Sequence, residues 1–216
     1  MPLSRLFLPL FPVCRVLRDR RAVAAVELAV LFPVLCLFLV GLFELYNYMR
    51  TIDLLERSSI TLANLVSLRT TQAMDCSQTG SSAYLGTYFL ATELSSQPLD
   101  LPQNGMIILS AVTNTTGVPA IAWQRTTSYH LPGIVSAVGT QGGTAALPSG
   151  LSILADGNDT AVVAEIYYQF DPFTSLRPLI PGLPSVGTFS RSAYFRSRYG
   201  GINQLGTVPG CNGLPT

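Results

Sequence analysis

Hydrophobic residues are arranged along this chain in three regimes. Residues 22–43, AVAAVELAVLFPVLCLFLVGLF, form an apolar run interrupted by a single charge, Glu27. A helix rises ~1.5 Å per residue, so about 20 residues cross the ~30 Å hydrocarbon core of a bilayer, and this run is long enough to span. From Leu45 the apolar positions thin to steps of mostly three and four: Leu45, Tyr48, Ile52, Leu55, Leu62, Leu65 and Val66, with Ser59 in the gap. Arg50, Asp53, Glu56 and Arg57 occupy other positions. The spacing predicts one helix over 24–69, apolar all round at first and then amphipathic, on the order of 70 Å long.

Beyond residue 70 the pattern changes to short strands separated by Ser, Thr, Gly and Pro. Residues 84–94 read as a helix, and 106–113 and 121–129 as strands. Val162, Ala164, Ile166, Tyr168 and Phe170 alternate with Val163, Glu165, Tyr167 and Gln169, the signature of a half-buried strand. Residues 188–199 predict a last strand with Phe189, Ala193, Phe195 and Tyr199 on one face, and the Gly/Pro-rich residues 131–160 predict a loop. The expected fold is α+β: a long N-terminal transmembrane helix continuing as a stalk, packed on a small antiparallel-sheet head. The divisions fall at 1–22, 23–43, 44–70 and 71–216.

Charge gives the anchor a direction. Arg5, Arg15, Arg18, Arg20 and Arg21 precede the apolar run and only Asp19 opposes them, whereas the remainder carries eight arginines against eleven acids. Arginine clusters stay cytoplasmic, so the N-terminus is expected inside and the head outside, with Tyr46 and Tyr48 at the far interface. The short block Leu6–Val13 makes a poor secretory signal, and bulky Val13 makes Phe11-Pro-Val-Cys14 a poor lipoprotein site. Overall the chain is 48% hydrophobic and 12% charged with net charge +1, so composition gives no argument for nucleic acid. The chain has no lysine, a bias in composition to which we give no functional weight.

Glu27 changes the picture. A carboxylate in a spanning helix needs a partner or a shallow position, and near the inner end of the run it also meets the positive end of the helix dipole. Pro33 removes one helix hydrogen bond and is expected to kink the anchor. An ordinary uncleaved anchor with an interfacial carboxylate and a routine membrane-helix proline satisfies these residues too.

Arginines, a small residue, Val-Ala-Ala-Val-Glu and an apolar run containing Pro33 together resemble the processing site of type IV pilin-like proteins. Within that class, RRAVAAVELAVLFPVL is similar to the TadE/TadF-like minor pseudopilins of tight-adherence (Flp-type) pilus systems. The AVVAEIYYQFDPF run at 161–173 and SRSAYFRSRYG at 190–200 extend the resemblance to two late strands. The resemblance implies a pilin-like fold and a cut by prepilin peptidase between Ala22 and Val23, making Glu27 the fifth residue of the mature chain. Ala22 stands where the family usually has glycine. Such a cut would free an α-amino group at Val23, mostly protonated near neutral pH and one helical turn from Glu27. Glu27 would then neutralise its own amine or a neighbouring subunit's, registering one helix against another, because a paired charge is tolerated where a lone one is not.

With that cut Cys14 leaves with the leader and Cys36 lies in the membrane. Cys76 and Cys211 remain in the oxidising compartment and are expected to pair, the alternative being two free thiols. Catalytic candidates are few. His130 is the sole histidine and reads as a strand-end residue; Asp156-Gly-Asn-Asp159 reads as a turn, without the ligand spacing of a calcium loop. Gly139-Thr-Gln-Gly-Gly143 lacks the lysine of a phosphate loop, and Arg191, Arg196 and Arg198 among aromatics read as a solvated sheet face. Asn114-Thr-Thr and Asn158-Asp-Thr match a short, weak glycosylation pattern. No nucleophile–base pair, metal site or cofactor site is expected, so a membrane-tethered hydrolase is disfavoured.

The sequence thus leads to an expected minor subunit for assembly of a tight-adherence pilus and hence for cell adhesion. It would sit in a bacterial inner membrane with a periplasmic head, in a hetero-oligomer with other pilin-like subunits, the assembly machinery and prepilin peptidase. The alternative is an uncleaved, single-pass envelope protein that binds or supports but joins no fibre.

Overall fold

The computed structural model describes residues 20–70, 72–155, 159–173, 177, 181–183, 185–199 and 202–216. Residues 1–19, including Arg5, Arg15, Arg18 and Cys14, and residues 156–158 of the Asp156 turn lie outside the described residues. The chain divides into two compact units between Asn47 and Tyr48. One helix, α1 (Arg20–Ser67), supplies residues to both. It is followed by β1 (Ala73–Asp75), α2 (Leu85–Ser95), α3 (Leu101–Asn104), β2 (Gly105–Thr113), β3 (Ala120–Thr126), β4 (Thr160–Phe170), β5 (Gly187–Arg196) and β6 (Leu205–Thr207). The fold class is α+β, a long apolar helix followed by a small antiparallel sheet.

In the second unit β2–β5 form a four-stranded sheet in the order β3-β2-β4-β5, every pair antiparallel. Isoleucine, valine and alternating aromatics favour this pleated, packed surface. On one face lie the C-terminal part of α1 and the helix α2, enclosing Leu55, Leu62, Val66, Leu85, Phe89, Ile107, Leu109, Trp123, Val162, Ala164 and Ile166. Gly86 is required for this packing, since a Cβ there would lie 2.3 Å from the Ser77 carbonyl oxygen. Tyr48 meets Phe189 edge-on at 5.1 Å, and Phe170 and Phe189 stack at 5.4 Å.

The buried face of α1 keeps the expected Leu55, Ser59, Leu62 and Val66 but is rotated from the expected one at its other positions. Thr51, Leu55, Ser58, Ser59, Leu62, Ala63, Val66 and Ser67 pack inward, while Leu45, Tyr48 and Leu65 are exposed. Small side chains let the helix approach the sheet closely. Ser59 and Ser67 donate back to the carbonyls of Glu56 and Asn64 at 2.8 and 2.9 Å, so hydropathy underrates their fitness for burial.

The expected half-buried strand at 162–170 is also corrected, because β4 is buried on both faces from Thr160 to Tyr167. Its second face is covered by the long connection from Leu131 to Ile153, through Val138, Ala145 and Ile153 over Val112, Ile121, Ala161 and Val163, with Leu131 over Met106, Ile108 and Tyr167. The last expected strand ends at Arg196, leaving Tyr199 beyond it and exposed. The strand expected over 121–129 ends at Thr126. A parallel pair of β1 and β6, three residues each, follows no pattern that the sequence displays.

Candidate functional site

In the first unit α1 runs helically through Ala22, Val23, Glu27 and Pro33. Large apolar side chains from Val23 to Phe43 stand open; Val30 is 67% and Phe38 63% exposed. Glu27 is exposed among them, one turn after Val23. This is the one helix among the described residues long and apolar enough to cross a membrane. So much open apolar surface is unfavourable in water, at about 25 cal/mol per Å². Lipid or the helices of other chains would cover it. Glu27 is the ionisable group within that stretch, and any covering medium must solvate or pair it.

The second unit carries its polar groups in built-in contacts. Cys76 and Cys211 are joined by a disulfide with Cα atoms 5.5 Å apart. Around it Asp75 accepts from Arg125 Nε at 2.8 Å and from the Leu214 N–H at 2.9 Å, and the Ser77 N–H donates to the Asn212 carbonyl at 3.0 Å. This clasp holds the C-terminal tail to β1 and to edge strand β3. Trp123 donates to the Ile202 carbonyl at 2.6 Å.

A second group escaped the sequence reading. Glu165, on β4, is 1% exposed. Its carboxylate accepts from the Ala137 N–H at 2.9 Å, from Tyr167 Oη at 3.1 Å and from Ser136 Oγ. Burial first, then the Glu165 charge, pushes the Tyr167 hydroxyl up to about 12. Tyr129, which donates to Glu93 at 2.7 Å, is likewise raised, mainly by burial and then by that carboxylate. The only hint of the Glu165 group in the sequence is a carboxylate inside an otherwise apolar and aromatic strand.

The remaining candidates fall into structural places. His130 is exposed just past β3. Asp159 pairs with Arg196 at 2.9 Å and accepts from the Leu154 N–H at 2.7 Å. Gly142 and Gly143 exchange backbone hydrogen bonds with Ile121 at 2.8 and 3.0 Å, so that glycine loop covers the edge of β3. Asn114 is buried and donates to the Ile153 carbonyl at 3.1 Å. Among the described residues no three His, Cys, Asp or Glu side chains cluster as metal ligands.

Val23–Phe43 is thus a long apolar surface left open among the described residues, and comparison with known families falls on the same stretch. Residues 22–52 match the TadE-like protein family. The TadE-like segment begins at Ala22, includes Glu27 and Pro33, and ends at Ile52 in the first turns of the head's helix. No curated protein matches the chain, and no solved structure does.

Proposed function

We propose that this chain is a minor pilin-like (pseudopilin) subunit needed to assemble a tight-adherence type IV pilus. The observation that carries the reading is the TadE-like match from Ala22, over a helix whose apolar side chains stand open among the described residues. In this reading prepilin peptidase cuts between Ala22 and Val23. Residues 23–43 cross the inner membrane, 44–70 form the stalk and 71–216 the periplasmic head. The five leader arginines support an inward N-terminus.

The role is mechanical rather than catalytic. After the cut, the Val23 amine and Glu27 stand at i and i+4, and Glu27 pairs with its own amine or that of a neighbouring helix in the assembling bundle. Pro33 loosens the helix below its midpoint, and the disulfide stiffens the head. Partners are other pilin-like subunits and the assembly machinery, in a hetero-oligomer. The competing reading, an uncleaved anchored envelope protein, draws on Ala22, where the family usually has glycine.

Glu27→Ala tests the registering role. The variant is expected to accumulate normally in the membrane with its disulfide intact, while surface fibres counted by electron microscopy fall severalfold. Normal piliation would remove Glu27 from the mechanism.

A further inference from the structure

The two edges of the four-stranded sheet are built differently. Backbone parity fixes which groups each edge presents. Ser197 N–H donates to the Thr160 carbonyl at 2.7 Å in the register of β4 with β5. Odd-numbered residues of β5 therefore bond to β4, and Thr188, Ser190, Ser192 and Tyr194 point their N–H and C=O groups away from the sheet. At the opposite edge the outward donors of β3 are all occupied. Thr126 N–H goes to the Pro215 carbonyl at 2.8 Å, Gln124 N–H to Gln141 Oε1 at 3.2 Å, and Ile121 N–H to the Gly143 carbonyl at 3.0 Å.

No such cover exists on β5 among the described residues. Thr188, Ser190 and Ser192 are exposed, and the outward contact there is a hydrogen bond from the Arg191 guanidinium to the carbonyl of the preceding residue, Ser190, at 2.9 Å. The strand pairs with β4 over ten consecutive positions without a register shift, and it contains no proline. Bulges and prolines are among the devices that protect exposed edges, and β5 has neither. It has a cation instead. Arg191 stands on the helix-side face between Phe189 and Ala193, and no acidic residue occurs between 187 and 199.

We infer that the β5 edge is a docking surface for an extended acidic segment of a partner protein, added antiparallel as a fifth strand. On the outer side Arg191 occupies a non-hydrogen-bonded position, where opposed side chains come closest. The incoming strand carries Asp or Glu opposite Arg191, with apolar residues two positions to either side against Phe189 and Ala193. Main-chain bonds to Thr188, Ser190, Ser192 and Tyr194 supply affinity, and the carboxylate supplies register. A second copy fits less well, because it brings further arginines and no acid to the shared edge. The inference uses the head alone and stands whether or not the chain serves a pilus.

The test uses the full chain in zwitterionic nanodiscs with the probe peptide TVTETVT and its counterpart TVTKTVT. The glutamate peptide is expected to bind saturably and to slow amide exchange over 188–194. The lysine peptide should bind roughly fivefold more weakly, the size of one cross-strand ion pair, and Arg191→Glu should invert that order. Ser192→Pro removes an outward donor without touching the β4 ladder, so it should abolish binding while the Cys76–Cys211 bond still forms. Absent binding, equal binding of both peptides, or indifference to Ser192→Pro would overturn the inference. Concentration-dependent protection of the same amides without peptide would overturn it in favour of a second copy.

Discussion

A carboxylate that is 1% exposed in the middle of a sheet must be matched donor for donor, and Glu165 is matched by Ser136, Ala137 and Tyr167. It thereby fixes the 131–155 connection to the outer face of β4. Glu165→Ala strands those donors and should cost about 3 kcal/mol, roughly a 6–12 °C fall in Tm of the detergent-solubilised chain, with faster amide exchange around Val138. An unchanged melting temperature would mean the connection holds without it. Tyr167 adds a pH dependence. Its folded-state pKa is raised from 10 to about 12, so the stability it contributes is complete below pH 10 and is lost as pH rises through 12. Tyr167→Phe should therefore flatten the loss of stability between pH 10 and 12, and an identical alkaline profile would count against that coupling. The group was not legible beforehand, because Ser136 and Ala137, two of the three partners of Glu165, lie 29 and 28 residues away in a segment whose composition announces only a loop.

Among elements, the sequence was most informative where period and length agreed. The apolar run, the helix at 85–95 and strands β2 and β4 fall within a few residues of expectation, since each buries a face wide enough to mark its own period. It was least informative where packing uses small polar residues, as on the Ser58–Ser59–Ala63–Ser67 seam of α1, or where strands are three residues long, as in β1 and β6. The tail shows the same limit: two cysteines were visible, but Asp75, Arg125 and Leu214 gathered around their bond were not. That bond closes a sequence separation of 135. Replacing both cysteines with serine should cost about 5 kcal/mol in the loop-entropy model and expose the Thr126 amide to exchange. Protein taken from cells should yield one linked Cys76–Cys211 peptide without reduction, whereas two alkylatable thiols would contradict the pairing.

At the scale of the whole molecule, a head whose core and tail are tied by built-in contacts shares one helix with an apolar segment left open among the described residues. Several of the head's charged groups are paired or hydrogen-bonded within the chain, through Asp75–Arg125, Asp159–Arg196 and the Glu165 group. The anchor presents apolar side chains and one carboxylate to whatever covers it. Its TadE-like match was legible from a few residues, Arg20 to Glu27 and Pro33, because the match lies in one continuous local segment and does not depend on tertiary context. The most direct test of the account is the N-terminal residue of the membrane-extracted native protein, from intact mass and terminal peptide mapping. The account predicts a chain beginning at Val23, with Glu27 as its fifth residue. A chain still beginning at Met1 would contradict prepilin-type processing and leave an uncleaved, membrane-anchored head.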